Sequence, residues 1–228
     1  MNLRSGGIVV NIEHNKEVRK SLITAHVLVR WSGFMAIIAG ILYIVIQFIH
    51  PTDHISSVNT NSWVVLACLT MAMSLFNLIG ITGVYISQAK EAGWLGLVGF
   101  LLFNLFWLIS IIFSFIEAFV LPLLTSDAAK FVEGMVGLFG GTVSEVNLGI
   151  FPILAPLAGV LYMLGGLLLG IATIRARVLP RLSGILLAFA AVVTLASAII
   201  PHPFDRALAI PMGVALIWMG YVSWSERK

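Results

Sequence analysis

Six long apolar stretches constrain this chain more than any other feature of its sequence. Each contains at least 18 residues, and a helix needs about 20 apolar residues to cross the hydrocarbon of a bilayer. The stretches are continuous rather than alternating in polarity, which favours helices over the strands of a membrane barrel. We therefore predict an all-α membrane protein, a bundle of six transmembrane helices at residues 31–49, 62–88, 94–124, 147–174, 182–200 and 207–224.

The composition excludes several other classes of protein. Hydrophobic residues make up 60% of the chain and charged residues only 10%, whereas a soluble domain has roughly 25% charged residues. Too few polar residues remain to cover a soluble surface, which excludes a soluble enzyme, a disordered chain and a coiled coil. The single cysteine, Cys68, excludes an internal disulfide and a thiolate zinc site. The expected partner is the lipid bilayer and not a nucleic acid.

The distribution of basic residues predicts the orientation. With six spans, 11 of the 13 Lys and Arg residues lie on one face and only Lys130 and Arg206 on the other. Because cytoplasmic loops carry the excess of positive charge, we expect both termini in the cytoplasm, in a multi-pass protein of the cell membrane. Residues 1–30 form a cytoplasmic N-terminal segment, either an interfacial helix or a disordered tail, and residues 31–228 form the six-helix domain.

The connector between the third and fourth predicted spans, residues 125–146, has the pattern of an amphipathic helix. Apolar residues recur there at helical spacing, with Ser126 or Asp127 as a candidate N-cap and Gly140-Gly141 as the stop. The apolar stripe comprises Ala128, Phe131, Val132, Met135, Val136 and Phe139. Such a helix on the outer face either lies on the membrane surface, which we expect, or folds over the mouth of the bundle as a lid.

One short motif occurs twice, at the outer ends of the first and fifth predicted spans. His50-Pro51-Thr52-Asp53 and His202-Pro203-Phe204-Asp205 both read H-P-x-D, and together they use two of the three Asp residues in the chain. Proline and aspartate are common where helices stop and start. Helix capping is therefore one explanation of the motif, although it explains the repeated histidine less well.

The second explanation is a functional site on the outer face. Glu117 is the only charged residue within the six predicted spans, and an acid at membrane depth is costly enough to indicate a site. Imidazole and carboxylate groups bind divalent transition metals such as Zn²⁺ and also transfer protons. The candidate metal ligands are His50, His54, His202, Asp53, Asp205 and Glu117. Alternatively, Glu117 bonds a neighbouring hydroxyl such as that of Ser114.

Two buried amides are candidates for a different role. Asn77 and Asn104 lie in the second and third predicted spans, where amides commonly form hydrogen bonds between helices. They are also the candidate substrate-binding residues. Among catalytic signatures, the sequence contains no G-x-S-x-G, no H-E-x-x-H, no P-loop and no G-x-G-x-x-G.

Several short stretches carry a resemblance to a known group of proteins. Residues 45–51, Gly93-Trp94-Leu95-Gly96, Glu117-Ala118-Phe119 and Leu179-Pro180-Arg181 resemble a family of uncharacterised six-span membrane proteins of Gram-positive bacteria. The resemblance implies a bacterial plasma membrane. It implies no activity and assigns no functional residue.

Three hypotheses about function follow from these observations. The first is binding or transport of a small solute or ion through an outward-facing His/Asp/Glu site. The second is a membrane-embedded metal-dependent hydrolase at the outer leaflet, with Glu117 as general base. The third is an accessory or assembly subunit without a site of its own, acting with a membrane protein partner or as a homo-oligomer.

Overall fold

The structure is a computed structural model, which describes the backbone of residues 5–51, 53–138, 142–194 and 204–225. Side chains are described for the same ranges from residue 26 onward, except 204 and 205. Every regular element in these ranges is a helix, so the prediction of an all-α protein is confirmed. The helices are α1 Ser5–Ile49, α2 Ile55–Val58, α3 Asn61–Phe119, α4 Leu121–Leu124, α5 Ala129–Val136, α6 Phe151–Ala176, α7 Arg181–Val193, α8 Phe204–Ala207 and α9 Ile210–Ser225.

Three of these segments are long and apolar enough to cross a membrane. They are His26–Ile49, Asn61–Phe119 and Phe151–Ala176, and α7 and α9 are shorter apolar helices. The predicted fifth span extends to residue 200, but residues 195–200 lie outside the described part of the chain. The helical backbone also runs without a break from Ser5 into the first apolar stretch, so residues 5–30 share one helix with it.

Gly93 divides α3 into two antiparallel helices. Its backbone has φ +56° and ψ −154°, a conformation that essentially only glycine adopts. On either side of it the two halves pair along their lengths, as shown by the stacked rings of Tyr85 and Phe100, whose centroids are 4.4 Å apart. Far from the turn, the indole Nε1 of Trp63 donates to the backbone oxygen of Glu117 at 3.0 Å. The turn lies where the sequence predicts a connector, and the halves are called α3a (61–92) and α3b (94–119).

Two helix ends differ from the sequence-based boundaries. The predicted third span continues to residue 124, but α3b ends at Phe119 and a separate turn, α4, follows with Pro122 near its start. Proline cannot supply the backbone donor that a continuing helix needs. The predicted fourth span begins at residue 147, whereas α6 begins at Phe151, because Asn147 accepts from the Gly149 backbone at 2.8 Å in a turn that Gly149 completes with φ +63°.

The helices pack most closely towards one end of the bundle. We call this the arginine end, because Lys90, Arg175 and Arg181 lie near helix ends there and Arg30 lies over the ring of Trp224 near the end of α9. Glycines allow the close approach. A Cβ atom on Gly33 would lie 2.7 Å from the Gly220 oxygen, and one on Gly170 would lie 2.7 Å from the Ala188 nitrogen. The opposite end, called the histidine end, contains His50 and the start of α6.

Helix α5 covers the histidine end of the bundle. Val132 and Met135, from the predicted apolar stripe, are buried in one cluster with Val58, Trp63 and Leu121. The helix therefore lies over the bundle and not, as expected, on the membrane surface. The predicted N-cap is wrong: Ala128 occupies that position without a side-chain cap, because the Ser126 hydroxyl bonds the Asp127 carboxylate at 3.0 Å instead. Phe139 and Gly140-Gly141 lie outside the described residues.

Candidate functional site

The first H-P-x-D motif forms a compact turn directly after α1. The Nδ1 atom of His50 lies 2.8 Å from the Pro51 oxygen and 3.8 Å from Oδ1 of Asp53. The His50 side chain is 23% exposed and that of Asp53 is 53% exposed. The turn thus places an imidazole at the protein interior and a carboxylate at its edge, as expected for residues three positions apart after a helix ends.

Glu117 lies in the last turn of α3b, beside this turn. Trp63 in α3a fixes the backbone there by donating its indole N–H to the Glu117 oxygen at 3.0 Å. The Glu117 side chain lines two neighbouring cavities, and His50 lines both of them as well. The structure therefore brings together three of the predicted site residues, His50, Asp53 and Glu117.

The two cavities share one polar wall. The first has a volume of about 260 Å³, and the second, deeper among the helices, has about 220 Å³. His50, Leu66 and Glu117 line both. The first is lined further by Asp53, Trp63, Ala67, Val136 and Arg206. The second is lined further by Thr70, Phe106, Ile109, Ser110, Phe113, Ser114 and Ala158. Ser114, the alternative partner of Glu117, thus lies on the wall of the second cavity.

Arg206 is a site residue that the sequence analysis missed. Its Nη2 atom lies 3.7 Å from Oδ2 of Asp53, and its side chain is 19% exposed. Its Nε atom is buried and has no hydrogen-bond partner among the described residues. One signal could have identified it: Arg206 is the only arginine on the predicted outer face, and it directly follows the second H-P-x-D motif.

His54 lies apart from Glu117. Its Nδ1 accepts from the Ser56 backbone at 3.2 Å and lies 2.9 Å from the Ser56 hydroxyl, so it caps α2. It lines a separate cavity of about 310 Å³ between this turn and the α5 segment. Across that cavity Lys130 and Glu145 form an exposed ion pair at 2.9 Å. Their hydrogen bond raises the pKa of Lys130 and lowers the pKa of Glu145.

The second H-P-x-D motif lies largely beyond the described side chains. His202 is outside the described residues, and of Asp205 only the helical backbone within α8 is described. Within residues 26–51, 53–138, 142–194 and 206–225, no three His, Cys, Asp or Glu side chains are grouped so that they could hold a metal ion. The proposed ligand set of six residues is therefore described only in part.

The predicted pairing of the amides is wrong for Asn77. Its Nδ2 donates to the Met73 oxygen of its own helix at 3.1 Å, and its buried Oδ1 has no partner among the described residues. The Oδ1 atom of Asn104 is also buried without a described partner. Neither lines the two cavities beside Glu117. The amide that does bond across helices is Gln88, whose Nε2 donates to Thr173 Oγ1 at 2.8 Å.

The first cavity combines one guanidinium, one imidazole and two carboxylates with apolar walls. A concave, mostly apolar site with a few convergent polar groups is the usual form of a small-molecule site.

Comparison with protein-family models, curated proteins and solved structures gives no match.

Proposed function

We propose that this chain is a six-span protein of the cell membrane, with both termini in the cytoplasm, that binds a small solute or ion for uptake or export. The binding site is the outward-facing cavity at the histidine end. The observation that carries the proposal is the meeting of His50, Asp53, Glu117 and Arg206 around one volume of about 260 Å³. These residues come from three separate parts of the chain, so their meeting is a property of the tertiary fold.

The charges at the two ends of the bundle support the orientation. The arginine end collects basic residues from several helix ends, including Lys90, Arg175 and Arg181. Basic residues near span ends are retained on the cytoplasmic side. The histidine end, with its cavities, then faces outward. Close glycine packing at the arginine end and open volume at the histidine end together suit a site that is accessible from outside.

Arg206 favours a solute over a divalent metal ion in this cavity. A guanidinium remains protonated at any physiological pH. Because it lies 3.7 Å from Asp53, its positive charge would oppose a divalent cation bound to the same carboxylate. The hydrolase hypothesis requires such a cation, and solute binding does not.

The first test concerns access to the cavity. In a Cys68→Ser background, Ala67→Cys places a thiol on the cavity wall, and Glu91→Cys places one at an exposed position of the same helix at the arginine end. We expect a membrane-impermeant methanethiosulfonate to label the first variant in intact cells and the second only after permeabilisation. Ala67→Cys that stays unlabelled in intact cells would contradict an outward-facing cavity.

The second test concerns binding. The full chain in lipid nanodiscs is screened for thermal stabilisation by amino acids, carboxylates, amines, phosphate, Na⁺, K⁺ and Zn²⁺. We expect at least one probe to raise the unfolding temperature of the wild type and of Glu91→Gln, an exposed acid at the arginine end, but not of Glu117→Gln. If no probe shows this difference, the cavity is not a binding site, and the accessory-subunit hypothesis is favoured.

A further inference from the structure

We propose that the ligand is a small zwitterion, a molecule with a carboxylate at one end and a primary ammonium at the other. Arg206 binds the carboxylate, and Glu117 binds the ammonium. This inference rests on the proposed function and specifies its substrate class.

Among the residues that the structure describes, Arg206 uses little of its hydrogen-bonding capacity. A guanidinium has five N–H donors, but the contact with Asp53 spans 3.7 Å, which is longer than a hydrogen bond of about 2.7–3.2 Å. The buried Nε has no partner among the described residues, and a buried donor without an acceptor is destabilising. A carboxylate would accept from Nε and one Nη together, in the bidentate geometry that arginine favours.

Glu117 places a carboxylate, opposite in charge to the Arg206 guanidinium, on the wall of the same cavity. Asp53 has both His50 and Arg206 near it, whereas the Glu117 carboxylate forms no ion pair or hydrogen bond with any other residue that the structure describes. An acid in an apolar helix needs a partner, and a ligand ammonium would supply it.

The size and walls of the cavity limit the ligand further. About 260 Å³ is smaller than the roughly 300–1,000 Å³ of cavities that hold drug-sized molecules. Trp63, Leu66 and Val136 provide apolar surface. A short methylene chain between the two charged groups would contact that surface.

The test is a series of amino acids with matched analogues that lack one charged group. Glycine, β-alanine, 4-aminobutyrate and 6-aminohexanoate are compared with butyrate and butylamine, by calorimetry on the full chain in nanodiscs. We expect one member of the amino acid series to bind at least tenfold more tightly than both analogues, because a site built for two charged groups rejects a molecule that lacks one.

Four variants assign the roles. Arg206→Gln should weaken the amino acid at least tenfold and leave it no tighter than butylamine, and Glu117→Gln should leave it no tighter than butyrate. Arg206→Lys keeps the charge but loses the bidentate geometry, and should bind with intermediate affinity. Arg175→Gln, an exposed arginine at the other end, should bind as the wild type does.

Three outcomes would overturn the proposal: butylamine binding as tightly as the best amino acid, butyrate doing so, or no amino acid binding at all. Each is distinguishable from failure of the proposed function. If another probe stabilises the wild type in a Glu117-dependent way, the cavity is a binding site and only the zwitterion is wrong. If Ala67→Cys is also inaccessible from outside, both proposals fail.

Discussion

Whether a buried polar side chain forms a hydrogen bond between helices depends on the residue that faces it, and not on its position in the sequence. Gln88 and Thr173 are both fully buried and bonded to each other at 2.8 Å, whereas Asn77 bonds its own helix. All three are buried polar side chains on apolar helices, so the apolar pattern does not distinguish them. Only the facing helix determines which one meets a hydroxyl.

Thr173→Val should destabilise the protein measurably. The change keeps the shape of the side chain but removes the acceptor of the Gln88 amide, and a buried donor left without a partner costs about 1–3 kcal/mol. Thermal or denaturant unfolding in one fixed detergent measures the loss. Thr82→Val is the control, because the Thr82 hydroxyl bonds only the Leu78 oxygen of its own helix. Equal losses in the two variants would show that the cross-helix bond contributes nothing specific.

The residues of the candidate site also differ in how far the sequence predicts their place in it. His50 and Asp53 are three positions apart in one turn, so their proximity follows from local geometry and is predictable from the motif. Glu117 was identified because an acid in an apolar stretch is costly. Arg206 lies in α8, far along the chain from Asp53, and approaches it only in the folded structure, so no local pattern contains that information.

At the scale of helices, the turn at Gly93 is the most strongly determined feature. The apolar stretches on either side were predicted as separate helices, and the structure turns between them. A Cβ atom on Gly93 would meet nothing within 4 Å. The requirement for glycine at this position is therefore one of backbone conformation and not of space.

Gly93→Ala should destabilise the α3a–α3b hairpin. Alanine at φ +56° and ψ −154° occupies a region that costs about 1–3 kcal/mol. Unfolding in detergent measures the effect. Gly159→Ala, in a helix and with open space around it, is the control, and it should be neutral or stabilising by up to about 1 kcal/mol. A Gly93→Ala protein as stable as the wild type would show that the turn tolerates another conformation.

For helix α5, the sequence predicted an amphipathic helix correctly but did not predict where that helix lies. The spacing of Val132, Met135 and their neighbours predicts an amphipathic helix, and α5 forms with both residues buried. The spacing of these residues does not determine whether lipid or protein covers the apolar face of the helix, since both are apolar. In the structure, protein covers this face, because side chains of α2 and of both ends of α3 belong to the same buried cluster as those of α5.

For the molecule as a whole, glycines allow close packing of the helices along the bundle. Close backbone approaches occur at Gly33, Gly99 and Gly170 towards the arginine end, and at Gly40 and Gly165 in the middle of their helices. The cavities lie at the histidine end.

Gly170→Ala should therefore destabilise the bundle. The new Cβ would lie 2.7 Å from both the Ala188 nitrogen and the Gly184 oxygen, and backbone atoms cannot move aside as a flexible side chain can. Overpacking of this kind costs about 1–3 kcal/mol. The same unfolding assay applies, with Gly159→Ala in the same helix as the control. A loss no larger than that of the control would contradict tight packing of α6 against α7.

The sequence by itself determined the helical class, the approximate positions of the apolar helices, the connector at residues 89–93 and the local cluster of His50 and Asp53. These follow from the length of apolar stretches and from short-range backbone geometry, which depend on neighbouring residues. Only the tertiary structure decided that Arg206 joins the cavity, that Gln88 rather than Asn77 bonds across helices, and that α5 covers the bundle. Those outcomes depend on which helix faces meet, and the free energy of packing helices that are distant in the chain decides this.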